Sequence, residues 1–318
     1  MKEHTALVEE TFDGRTIKLA LLGAEKCLED HIDELNLLNV FPVPDGDTGI
    51  NMFVTIQAAN KAAAVVPSDS AAAISAGAAR GALLGASGNS GVILSQILRG
   101  VAKGMEMKER FTVMHFANAL REAAEMAHRA VTNPVEGTIL TVSRETSEVA
   151  MKMAKSGADL KQTLTAIVEQ AKKSVKKTPE LLPQLKEAGV VDAGGKGLLY
   201  VYQGMSDYLS RRVNKFKTVA TETVTRKTGG EQGDYGLDIQ FLIRGHDMPL
   251  DDIRETLEKM GESVIVVGDE NLIRVHIHAP DSEDIMSYAG AHGQITDIAI
   301  ENMDEQVKDF KEKIDSGE

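Results

Sequence analysis

The stretch Leu237-Asp238-Ile239-Gln240-Phe241-Leu242-Ile243-Arg244 changes the period of the chain. Leu237, Ile239, Phe241 and Ile243 alternate with Asp238, Gln240, Leu242 and Arg244, the two-residue repeat of a half-buried β-strand. Beyond it the pattern predicts a helix over about 250–260, a strand over 263–267 and a hairpin turn at Gly268-Asp-Glu-Asn271. A strand over 272–278, a helix over 282–290 and a strand over 294–301 follow. The order βαββαβ is the ferredoxin-like split unit. Upstream the repeat is helical: Ile17, Leu21, Ala24, Cys27 and Leu28, then Phe116, Ala119, Leu120, Ala123 and Met126, then Leu160, Leu164, Ile167 and Ala171. Polar joints at Pro67-Ser-Asp-Ser70, Thr132-Asn-Pro134 and Thr178-Pro-Glu180 divide these helices, and the Ala-rich tract over 58–86 suits tight helix packing. Residues 215–234, rich in threonine, lysine and glycine, read as a linker. The expected fold is multi-domain: an all-α unit over 1–214, the linker, and an α+β unit over 235–318.

Composition narrows the function classes. A hydrophobic fraction of 42% in 318 residues supports ordinary globular cores. Net charge of −13 with no basic cluster argues against nucleic acid or an anionic membrane as partner. Cys27 is the single cysteine, expected as buried packing, so no intramolecular disulfide forms, which fits a reducing cytoplasm. The polar N-terminus is no signal peptide, and no apolar run is long enough for a transmembrane segment.

Chemistry concentrates in two stretches. In Asn39-Val-Phe-Pro-Val-Pro-Asp45-Gly-Asp47-Thr-Gly-Ile-Asn51, two carboxylates flank a glycine on a loop preset by Pro42 and Pro44. Such oxygens suit a hard divalent cation, and Mg²⁺ usually arrives with substrate phosphates. A calcium EF-hand fails on spacing, since position 12 from Asp45 is Ile56 rather than Glu. The plain alternative is an Asp-Gly turn between helices. In Gly85-Ala-Ser87-Gly88-Asn89-Ser90-Gly91, small residues run straight into a helix whose free N–H groups and dipole favour an anion. No Walker A motif and no protein-kinase His-Arg-Asp or Asp-Phe-Gly motif occurs. Together the two stretches read as a Mg-nucleotide site.

A third candidate lies on the predicted sheet. His276 and His278, two apart on a strand, share a face. In a ferredoxin-like sheet the first and third strands are antiparallel neighbours, which brings Asp238 near both histidines. Two imidazoles and a carboxylate can hold Zn²⁺ with an open fourth position. The ordinary alternative is two solvent-exposed histidines on an open sheet face. A structural ion is expected here rather than a catalytic one, because no general base is apparent nearby. His4, His31, His115, His128, His246 and His292 read as surface or satisfied core.

Residues 39–52 and 85–96, with Pro134-Val-Glu-Gly-Thr138-Ile-Leu140 and Val191-Asp192-Ala-Gly-Gly-Lys-Gly197, resemble the dihydroxyacetone kinase L-type nucleotide-binding family. The Phe-Pro-Val-Pro-Asp-Gly-Asp-Thr-Gly version is similar to the bacterial fatty acid kinase catalytic subunits, over essentially the whole chain. The resemblance implies an all-helical barrel that binds ATP with two Mg²⁺ ions. Asp45 and Asp47 match its catalytic metal carboxylates, with Asn39 about where dihydroxyacetone kinases place a third aspartate. Thr48, Gly49, Asn51 and Met52 fall in its nucleotide-contacting stretch, Ser87, Gly88, Asn89, Ser90 and Gly91 in its phosphate loop, and Thr138 and Asp192 complete the cofactor-binding set. Ser87 replaces an expected arginine. The resemblance also implies a zinc-binding middle domain, with Asp238 at or near the position of a cysteine ligand. The family continues into a further domain, so an excised piece or a naturally short relative is expected.

The expected function is ATP-dependent transfer of a phosphoryl group to a fatty acid carboxylate. By resemblance, a separate DegV-like fatty-acid-binding protein presents the lipid, and the kinase is a possible homodimer in the cytoplasm. The alternatives are a dihydroxyacetone-type hydroxyl kinase and a non-catalytic Mg-nucleotide-binding regulatory module.

Overall fold

The computed structural model describes residues 10–210 and 235–316; the linker expected over 215–234 lies outside the described residues. The first part is helical: α1 (Gly14–Glu29), α2 (Ile32–Leu37), α3 (Thr48–Ala64), α4 (Ala71–Leu84), α5 (Gly88–Gly104), α6 (Val113–Ala130), α7 (Ile139–Lys155), α8 (Leu160–Leu181), α9 (Pro183–Ala188) and α10 (Ala193–Ser210). Local chemistry sets the boundaries. Asp13 and Ser70 cap α1 and α4, and Thr112 and Asp159 open α6 and α8 with capping boxes, satisfying N–H groups that a helix start leaves free. These helices form an all-α barrel around one core that includes Leu28, Met52, Ile56, Ile74, Leu94, Leu164, Ile167 and Leu198. The alanines of α4 let it lie close against α3 and α5, so α3 and α5 start side by side.

The second part contains β1 (Leu237–Arg244), α11 (Leu250–Leu257), β2 (Glu262–Asp269), β3 (Leu272–Ala279), α12 (Glu283–Gly290), β4 (Gln294–Asn302) and α13 (Met303–Ser316). Its antiparallel sheet has the order β2-β3-β1-β4, the arrangement expected of the ferredoxin-like unit. Ile239, Phe241, Ile243, Val275 and Ile277 pack on one face against Ile253 and Leu257 of α11 and Ile285 and Ala289 of α12.

The opposite face differs from expectation. β1 is buried on both sides, because Leu242, Ile265, Val267 and Leu272 pack on Leu83, Ala86, Val92 and Ala130 of the helical part. The sheet is therefore not open, and His276 and His278 are 1% and 8% exposed. Cys27 is a free, half-buried thiol on α1. Among the described residues no helix is long and apolar enough to cross a membrane.

Helix α13 adds to the expected elements. Its apolar spacing is visible in Met303, Val307 and Phe310, and Met303 and Val307 pack on Val43 beside the Asp45–Asp47 loop. Replacing Leu242 tests the docking of the two parts, since its side chain belongs to the interface while Phe241 serves the sheet's own core. Leu242→Ala should cost about 2–5 kcal/mol. Hydrogen exchange should accelerate at β2, β3 and the start of α5, and leave the face under α11 and α12 protected.

Candidate functional site

The loop between α2 and α3 is folded by its own side chains. Asn39 donates from its amide to the Val43 carbonyl at 2.6 Å and to Asp45 Oδ1 at 2.8 Å, while its carbonyl accepts the Thr48 hydroxyl. Asn39 thus aims Asp45, and its own oxygen is turned toward Thr48. Gly46 sits at φ +76°, and a Cβ there would come within 2.2 Å of the Phe310 ring of α13. Both constraints require glycine between the carboxylates. Asp47 occupies the N-cap position of α3 and accepts from Asn51 Nδ2 at 2.6 Å. Burial raises the Asp45 carboxyl well above the usual range, and the charges of Asp47 and Asp238 push it further. Burial also raises Asp47, with Asp238 and Glu301 adding to the effect, although hydrogen bonds from Asp45 and Asn51 oppose it.

Helix α5 starts beside this loop. The Gly91 N–H closes the first turn on the Ser87 carbonyl, and the N–H groups ahead of it have no helical partner. Ser87, the N-cap residue, makes no side-chain capping bond; the Gly88 N–H donates instead to Gln240 Oε1 at 3.0 Å. Gly88 has φ +56°, and a Cβ on it would meet Asn51 Nδ2 at 2.1 Å. The Ser90 hydroxyl is buried without a hydrogen-bond partner.

The antiparallel register of β1 and β3 sets Asp238 opposite His278 and Gln240 opposite His276. His276 Nε2 lies 3.1 Å from His278 Nε2, and His276 Nδ1 lies 3.2 Å from Asp238 Oδ1. That last contact is neither an ion pair nor a hydrogen bond: both atoms are buried without a hydrogen-bond partner. Burial and the Arg274 charge bring the His276 imidazole down to about 3, which leaves it neutral. Burial, then His276, lowers His278 to about 4, and burial raises Asp238 to about 6. The set at neutral pH is two neutral imidazoles and a carboxylate, the protonation state that metal binding requires. One ligand atom from each residue falls within 4.8 Å of the others. Two nitrogens bound to one tetrahedral ion at about 2.0–2.1 Å would be about 3.3 Å apart, close to the observed separation. The donor set and the orphaned polar atoms fit Zn²⁺.

The cavity shared by the two parts has a volume of about 490 Å³. It brings together Asn39, Asp45, Asp47, Thr48, Gly88, Asn89, Ser90, Thr138, Asp192, Asp238, His276 and His278. Thr138 caps α7, and Asp192 accepts the Gly195 N–H at 2.6 Å at the start of α10. Burial raises the Asp192 carboxyl to about 7. Other expected contact residues stand behind the wall. Met52 is fully buried in the helical core against Gly197, Gly49 is held by the Asn36 carbonyl, and Asn51, Ser87 and Gly91 support the loops. Sequence reasoning misses Gln240 and Arg274, although strand alternation places them on the faces of Asp238 and His276. Arg274 donates from Nη2 to the Ala86 carbonyl.

A helical nucleotide-site scaffold whose phosphate loop is covered by a ferredoxin-like sheet defines a kinase-type, two-part architecture. Residues 42–207 match the DAK2 domain, and residues 234–310 match the FakA-like middle domain of fatty acid kinase; the chain belongs to this family. It is 38% identical over 311 residues to Protein YloV of Bacillus subtilis, covering 93% of this chain and 56% of that protein. A Staphylococcus saprophyticus protein, SSP1546, is 35% identical over 318 residues, covering 96% and 58%. The chain thus spans little more than half the length of these relatives. The dihydroxyacetone kinase of C. freundii gives a TM-score of 0.42 at 17% identity, over 65% of this chain and 37% of that one.

The crowded carboxylates have a measurable consequence. The folded values of Asp45 and Asp47 lie above the ordinary aspartate value, so their contribution favours folding most at low pH and is lost as pH rises through the raised values. Without divalent cations at pH 7.5, Asp47→Asn should therefore melt higher than wild type, by about 2–4 °C per kcal/mol relieved. The difference should shrink toward pH 4, and Mg²⁺ should raise wild type more than the variant. A variant that melts lower in chelator at pH 7.5 would contradict the crowding.

Proposed function

We propose that the chain is the catalytic portion of an ATP-dependent kinase that phosphorylates the carboxylate of a fatty acid presented by a separate DegV-like binding protein, giving an acyl phosphate. The observation that carries the reading is convergence. One cavity collects the Asp45/Asp47 pair, the start of α5 with its unpartnered Ser90 hydroxyl, and the Asp238/His276/His278 cluster. Membership of a family that joins a DAK2 domain to a fatty acid kinase-like middle domain supports it.

Each group has a part in this reading. Asp45 and Asp47 hold Mg²⁺, with Asn39 and Asn51 fixing their orientation. The amides at the start of α5 and the Ser90 hydroxyl donate to phosphate oxygens, where the helix dipole adds to the attraction. Thr138, Asp192, Ile139 and Leu140 form the wall for the rest of ATP. Bound Mg²⁺ and Zn²⁺ supply charge neutralisation to phosphate and acceptor oxygens. Because Asp238, His276 and His278 line the cavity itself, we assign their ion to the reaction site rather than to structure alone. A fatty carboxylate, with an ordinary pKa of about 4–5, is ionised at neutral pH and needs no general base. Both histidines, held neutral, are not required to accept a proton. A cavity of about 490 Å³ is of a size for one polar small ligand, so the acyl chain stays with its carrier.

The test is acyl phosphate formation, trapped with hydroxylamine, from Mg-ATP and a fatty acid on its carrier. Wild type should form hydroxamate, and Asp45→Asn or Asp47→Asn should lower kcat/KM at least about 100-fold, within the range of lost electrostatic stabilisation. Turnover of dihydroxyacetone with a different substrate-binding protein, and none with the carboxylate, would establish the hydroxyl-kinase alternative. Saturable ATP binding without turnover of either acceptor would establish the regulatory module.

A further inference from the structure

The start of α5 is organised from the other half of the molecule. Ser87 offers no capping bond, and the Gly88 N–H is satisfied across the interface by Gln240 Oε1 at 3.0 Å. The other end of the same amide donates from Nε2 to Asp238 Oδ2 at 2.7 Å. Gln240 is 5% exposed, so water does not replace either partner. Its orientation is fixed by both ends. Turned over, the amide would oppose its oxygen to a carboxylate and its NH₂ to an N–H. Arg274 locks the oxygen end, donating from Nη2 to Gln240 Oε1 at 3.4 Å and to the carbonyl of Ala86, two residues before Gly88. A continuous chain of hydrogen bonds thus runs from the phosphate loop through Gln240 to the carboxylate of the metal-binding cluster.

We propose that Gln240 couples the two sites: an ion held by Asp238, His276 and His278 tightens nucleotide binding at the start of α5, and nucleotide tightens ion binding by the same factor. The inference rests on the functional reading that nucleotide and metal occupy these positions. An ion fixes the Asp238 carboxylate, the carboxylate fixes the Gln240 amide, and the amide fixes Gly88 at the positive φ that presents the next N–H groups to phosphate. Partners behind a metal ligand commonly orient it and are felt in affinity. Reciprocity then follows from linkage. Gln240 is a positioning residue, since it stands behind the cavity wall rather than in it.

The experiment measures binding, not turnover, on the full chain. Calorimetry with a non-hydrolysable ATP analogue in excess Mg²⁺, with and without saturating Zn²⁺, gives one coupling factor. Chelator competition for Zn²⁺, with and without the analogue, gives the other. In wild type the two factors should agree and be at least about fivefold, at the low end of measured couplings. His276→Ala should abolish the zinc effect and keep nucleotide binding, placing the ion at the cluster. In Gln240→Leu both ligands should still bind, with a factor falling toward one. Gln240→Glu keeps an acceptor for Gly88 but no donor for Asp238, and should likewise lose the coupling while binding nucleotide. An undiminished factor in both Gln240 variants would overturn the proposal in favour of direct charge interaction. Wild type that binds both ligands independently would also overturn it and leave the functional reading intact. Wild type that binds neither would defeat the functional reading and this inference with it.

Discussion

The arrangement depends on the docking of a sheet's polar face onto the start of a helix. The first turn of α5 has N–H groups that no helical carbonyl can satisfy, and its own N-cap serine leaves them unmet. Gln240 of β1 meets one, and Arg274 of β3 holds the carbonyl just ahead of it. Leu242, Ile265, Val267 and Leu272 surround these polar contacts with apolar packing against α4 and α5. A buried polar contact of this kind is costly to break on one side only, so it fixes the register of the two parts. The cavity exists because that register is fixed.

Once the sheet is seated, its chemistry is no longer separate from that of the helical part. Asp238, His276 and His278 face the cavity that Asp45 and Asp47 enter from the opposite side. The charge of Asp238 reaches both of those aspartates and raises them. Gathering so many acidic oxygens away from water is unfavourable unless cations arrive, and the neutral imidazoles are ready to take one. Helix α13 adds a third support: Val307 and Met303 pack on Val43, and Phe310 covers Gly46 between the two metal-facing carboxylates.

Much of this is legible in residue order. The change of period at Leu237 separates helix from sheet, and the alternation along β1 and β3 is enough to place Asp238 beside the histidines. Asp45-Gly-Asp47 and Ser87–Gly91 announce a cation and an anion site through residue type alone. What alternation does not reveal is what covers a polar face. A strand reading Asp-x-Gln on one side looks solvent-exposed, and only the packing of Leu242 and Ile265 on the helices turns it into an interface. The separation of cavity wall from support has the same origin. Thr48 and Met52 lie one turn apart on α3, yet Thr48 faces the cavity and Met52 the core against Gly197. The helical period groups such residues, and only the position of α10 divides them.

The central claim is that the sheet is part of the nucleotide site rather than a neighbouring module. Hydrogen–deuterium exchange of the intact chain, with and without a Mg²⁺-bound ATP analogue, tests it most directly. The account predicts added protection in two places at once: the start of α5 and loop 39–48, and the amides of β1 and β3 around residues 238–242 and 273–278. Protection confined to the helical part, with exchange in β1 and β3 unchanged, would contradict it.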